Sequence, residues 1–76
     1  MKEYNGYRSY SAWNQSLWLS NDYDLEMQMR EWKDEGLNQI KVFNRLWQDL
    51  KGTRTGDGVK FNQRSVKEFI SDWMRG

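Results

Sequence analysis

No proline occurs in the chain, and its glycines fall only at Gly6, Gly36, Gly52, Gly56, Gly58 and Gly76. This punctuation constrains the fold more than any other feature. Between the glycines, apolar residues recur at helical spacing with nothing to break them, so the chain divides into four helix-sized pieces. The first runs from Ser9 or Tyr10 to Leu19, with Ser9 as N-cap and Tyr10, Trp13 and Leu17 at helical spacing. The second is capped by Asn21 or Asp22, places Asp24 and Glu26 in the turn where the helix dipole favours acids, and stops at Gly36. Leu25, Met29 and Trp32 form its stripe. The third spans Leu37 to Lys51, with Leu37, Ile40, Phe43, Trp47 and Leu50 on one face, Leu46 beside it and Gly52 as its stop. After the loop Gly52–Gly58, Asn62 caps a last helix carrying Val66, Phe69, Ile70 and Trp73. Asp57-Gly58 reads as a turn, and Val59-Lys60-Phe61 as a short extended stretch returning Val59 and Phe61 to the core. The expectation is an all-α, compact single domain over residues 1–76, with four short helices and one longer glycine-rich loop.

A 76-residue chain sits near the size at which one core only just offsets chain entropy. Twelve aromatic residues meet that need, since each buries roughly 150–250 Å². Most of Trp13, Trp18, Trp32, Trp47 and Trp73 are therefore expected in the core.

The chain has neither histidine nor cysteine. Disulfide scaffolds, thiolate nucleophiles and the commonest general base and metal ligand are all excluded. The Asp22-x-Asp24-x-Glu26 spacing starts like a calcium loop but lacks the glycine and the closing bidentate acid. Gly52–Gly58 has no lysine followed by serine or threonine, so it fails as a phosphate loop. These absences point away from an enzyme and from any cofactor or metal. No apolar run follows the basic start as in a signal peptide, and none approaches the roughly 18–20 residues of a membrane span. The expected setting is soluble and cytoplasmic, without a membrane partner.

Charge is segregated. Residues 22–35 hold Asp22, Asp24, Glu26, Glu31, Asp34 and Glu35 against Arg30 and Lys33, a net of −4. Residues 41–67 hold Lys41, Arg45, Lys51, Arg54, Lys60, Arg64 and Lys67 against Asp49 and Asp57, a net of +5. Lys41 with Arg45 and Arg64 with Lys67 share helix faces, and with Arg54 between them they form a candidate partner-binding patch for an acidic protein surface or for phosphates. The acidic second helix is the rival contact, because it can imitate a phosphate backbone. A helix-turn-helix is disfavoured, since the would-be reading helix has too broad an apolar face.

The stretch Asn5–Asp22 carries a further pattern: Asn5-Gly6-Tyr7, Tyr10, Trp13-Asn14, Leu17-Trp18-Leu19 and Asn21-Asp22. This order resembles a family of short, uncharacterised proteins of bacteriophages and bacterial mobile elements. The likeness covers about the first third of the chain, with Tyr7 where tryptophan is commoner and Ala12 where threonine is commoner. The resemblance implies a phage-type setting in the host cytoplasm and no reaction. Small phage proteins of this size include inhibitors of host defence complexes such as CRISPR–Cas. The motif also reads as architecture, with Asn5-Gly6 turning the chain, Asn14 and Asn21 satisfying backbone groups, and Trp13, Leu17 and Trp18 clamping the first helix. A recognition surface of Tyr7, Tyr10 and Trp18 is the alternative, because such residues anchor interfaces. The leading expectation is a non-enzymatic binding protein that inhibits a host protein complex. Direct nucleic-acid binding through the basic second half and a homo-oligomeric structural protein are the alternatives.

Overall fold

The computed structural model describes residues 6–75, so the expected Asn5-Gly6 turn lies in part outside the described residues. Four helices are present among them: α1 (Tyr10–Ser20), α2 (Tyr23–Asp34), α3 (Gln39–Leu50) and α4 (Gln63–Arg75). There is no strand among the described residues; an isolated antiparallel bridge joins Arg54 to Lys60.

The starts are set by short polar side chains that accept from orphan backbone donors. Ser9 Oγ accepts from Ala12 N at 3.2 Å, Asp22 Oδ1 from Leu25 N at 3.0 Å, Asn38 Oδ1 from Lys41 N at 2.9 Å and Asn62 Oδ1 from Ser65 N at 2.8 Å. At the end of α2, Gly36 adopts φ +90°, a conformation that costs glycine no Cβ clash. Gly36 N donates to Lys33 O and Leu37 N to Trp32 O, the paired bonds that close a helix and turn the chain into α3. Thus α3 starts at Gln39 rather than Leu37, and Leu37 packs against the core from the turn.

The core gathers Leu19, Met29, Trp32, Val42, Phe43, Leu46, Phe61, Val66 and Ile70. Two expectations are corrected here. Ile40 is 69% exposed, whereas Val42 is fully buried, because α3 packs between α2 and α4 and its inward face centres on Val42, Phe43 and Leu46. Of the five tryptophans only Trp32 is buried; Trp13, Trp47 and Trp73 are half-buried and Trp18 is exposed. The centre of so small a bundle is filled by slender side chains such as Met29, Leu46, Val42, Val66 and Ile70, and indoles close its edges. The extended return from the loop holds as expected, with Phe61 buried and Val59 half-buried. At the chain's start, Arg8 makes a forked bond to Glu68 at 3.1 and 3.0 Å, tying the entry of α1 to α4.

Candidate functional site

α1 departs from the rule that a surface helix turns its apolar stripe inward. It buries Asn14 and Gln15 completely, beside Ala12 and Leu19, and leaves Tyr10 (46%), Leu17 (36%) and Trp18 (42%) exposed.

The inward amides are satisfied by the loop before α4. Asn14 Nδ2 donates to Asp57 Oδ2 at 2.8 Å and to Tyr10 Oη at 3.3 Å. Asn14 Oδ1 accepts from Thr55 Oγ1 at 2.7 Å. Thr55 Oγ1 in turn accepts from Asp57 N at 3.2 Å and Val59 N at 3.1 Å. Gln15 Nε2 donates to Ser11 Oγ at 2.9 Å, and Gln15 Oε1 accepts from Asn62 N at 3.0 Å, which fixes the residue that caps α4. A buried polar group left unpaired is expensive. Here every described buried side-chain N or O atom has a partner. The expectation that Asn14 serves exposed backbone groups is therefore corrected: it is buried and bonds to side chains across the fold.

Trp18 closes this network from outside. Its Nε1 donates to the same Asp57 Oδ2 at 3.0 Å, and its ring lies on Gly56, where an added Cβ would stand 2.3 Å from Trp18 Cη2. Only glycine admits that approach. The Trp18 and Asn14 bonds hold the Asp57 carboxyl below the ordinary aspartate value, in that order of effect. Glu68 is held below its ordinary value chiefly by Arg8.

Outside the network, α1 and α4 flank a groove of about 330 Å³ walled by Tyr7, Trp13, Leu17, Phe69 and Trp73, with Asp72 at its edge. Tyr10 tilts against Trp13 at 5.8 Å between ring centres. The predicted recognition residues Tyr7, Tyr10 and Trp18 thus lie on or beside α1, which adds Leu17 and Trp13 to them. The sequence carried no signal for the additional residues, because the spacing along α1 leaves open whether Asn14-Gln15 or Trp13 and Leu17 turn inward.

The predicted basic residues are spread over several places. Arg45 lies on the α2 side of α3, 4.0 Å from Glu35 and above the Trp32 ring. Lys67 lies on the α4 side, its Nζ 5.1 Å above the Phe43 ring. Arg64 pairs with Glu68 at 3.8 Å, and Arg54 donates to Gly58 O at 3.0 Å. Lys41 is exposed on α3. The ion pairs are exposed and each contributes little to stability, but the nearby carboxylates weaken the positive field.

Among the described residues, no group of three or more His, Cys, Asp or Glu side chains is placed to hold a metal ion. No helix among them is long and apolar enough to cross a membrane. No curated protein and no solved structure matches the chain. The helical motif whose aromatics and amides build this face lies within a family model that matches residues 1–75, and the chain belongs to that family, DUF7249, a family of unknown function.

Proposed function

We propose that the protein is a non-enzymatic binding protein that docks on a protein partner through the outer face of α1 and the adjoining α1–α4 groove. In the phage setting that the N-terminal motif resembles, the partner is a host protein complex, such as a CRISPR–Cas defence complex, whose action the protein inhibits by occupying it. The observation that carries this reading is the inverted face of α1, which buries two amides and leaves Tyr10, Leu17 and Trp18 in water. Tyrosine and tryptophan supply large, rigid contact area, and interface anchors are enriched in them. A bespoke set of bonds to Thr55, Asp57 and Asn62 holds the inversion in place. Structures break local rules of this kind where function requires it. Lys41, Arg45, Arg54, Arg64 and Lys67 then steer an acidic partner at long range rather than form its central contact.

The test is capture of partners from bacterial lysate by the tagged protein, with and without nuclease, read by mass spectrometry. Leu17→Glu is compared with the combined charge reversal of Lys41, Arg45, Arg54 and Arg64. Leu17 lies outside the buried network, so the variant keeps its helical circular dichroism. The expected result is a stoichiometric protein that survives nuclease, is lost with Leu17→Glu and is captured more slowly by the charge-reversed chain. Loss of every partner after nuclease would replace this reading with direct nucleic-acid binding. Full capture by Leu17→Glu would move the contact off α1.

A further inference from the structure

Two other exposed faces complement each other. Between the first turns of α3 and α4 lies a hollow of about 500 Å³ with Ile40, Phe43 and Ile70 on its walls and Asn44 and Gln63 at its edge. Among the described residues its charged lining residue is Lys67, with Arg64, which pairs with Glu68 at 3.8 Å, one turn earlier on α4. Ile40 stands 69% exposed there, an apolar group that no described residue covers.

The outer face of α2 has the opposite sign. Tyr23 (71% exposed) and Met27 (49%) lie four residues apart on it. Around Met27, Asp24, Glu31 and Asp34 surround Arg30 in a shallow hollow of about 480 Å³, and Arg30 is already paired with Glu26 at 3.6 Å. The two faces lie on opposite flanks of α3: Arg45 meets Glu35 and Trp32 of the α2 side, while Lys67 crosses Phe43 on the other. Within one chain they do not meet.

The geometry points to head-to-tail self-association, in which the acidic outer face of α2 of one copy lies in the α3–α4 groove of the next. Tyr23 and Met27 cover the exposed Ile40 above the groove floor of Phe43 and Ile70, and Asp24, Glu31 and Asp34 face Lys67 and Arg64. The occupant is a second copy because the chain itself supplies the matching helix, an outer α2 face with Tyr23 and Met27 among Asp24, Glu31 and Asp34 against a groove with the exposed Ile40 and the charged Lys67. The contact is heterologous, so each copy keeps one α2 face and one groove for further copies, and assembly continues until a ring closes. One short helix in a groove is a small interface, so association is weak and falls with salt. This contact leaves the α1 face open and stands independently of the function proposed for it.

Purified protein is examined by light scattering from about 10 μM to about 1 mM, in low salt and in about 0.5 M salt. The expected result is a mass that rises above the monomer with concentration and falls back with salt. Ile40→Glu closes the groove and Met27→Lys closes the α2 face; both positions are exposed, and Lys67→Glu serves as a second groove variant. Each variant alone is expected to stay monomeric. An equimolar mixture of a groove variant with Met27→Lys is expected to give one-to-one dimers and stop there, because each partner retains one working face. A monomer throughout at about 1 mM, a mixture that stays monomeric, or association that neither single variant weakens would overturn the proposal.

Discussion

Asp57 accepts from both Asn14 and Trp18 through a single oxygen, so one exposed carboxylate fastens the loop to α1. Its lowered pKa sets the sign of the pH response. A carboxyl whose folded value lies below the unfolded one stabilises fully above the unfolded value, and the contribution is lost as pH falls through the folded one. Acidification below the ordinary carboxylate range is therefore expected to loosen the loop, and Trp18→Phe to bring the Asp57 titration back up, read by carbon-detected NMR. An unchanged Asp57 midpoint would rule out the Trp18 bond. Gly56→Ala must push the indole off the loop; because Trp18 is partly exposed the ring swings outward, at a cost of about 1 kcal/mol. The check is a shifted tryptophan emission with a small loss in melting temperature. Asn14→Leu leaves the Thr55 hydroxyl without its acceptor and the Asp57 carboxylate with Trp18 alone, and is expected to cost about 2–3 kcal/mol in denaturant unfolding.

At the scale of elements, most helix limits were legible in the sequence because they depend on neighbours in the chain; the start of α3 is the exception, capped by Asn38 and begun at Gln39 rather than Leu37. Ser9, Asp22 and Asn62 cap the helices they precede, and Gly36 ends α2, all by bonds that span a turn. The facing of α1 was not legible. Its Tyr10-Trp13-Leu17 spacing equally describes an inward stripe, and only the bonds of Asn14 and Gln15 to residues 41 to 47 positions away decide otherwise. Ile40 was misread for a similar reason: both Ile40 and Val42 suit a helix, and packing against two neighbours selects Val42. Substitution measures that choice. Val42→Ala is expected to destabilise by about 2 kcal/mol, whereas Ile40→Ser stays within about 0.5 kcal/mol. Equal losses at the two positions would contradict the orientation of α3. The basic residues were legible as a set, but their distribution over two flanks of α3 and a loop required the fold.

Across the whole molecule, the core residues come from all four helices and from Phe61 of the returning loop. No helix has a core of its own, so the molecule is expected to unfold in one step. Tryptophan fluorescence and far-ultraviolet circular dichroism should give coincident urea transitions; separate midpoints would mean that α1 and its loop detach first. The buried amides of α1 also impose an order on synthesis. Asn14 and Gln15 leave the ribosome early, yet their partners at Thr55, Asp57 and Asn62 are made some forty residues later. Until then both side chains remain hydrated, and an isolated helix of this length is only marginal in water. Of the four helices α1 is thus made first and is among the last to be locked, and its aromatic side chains are presented to solvent before the bundle exists to hold them.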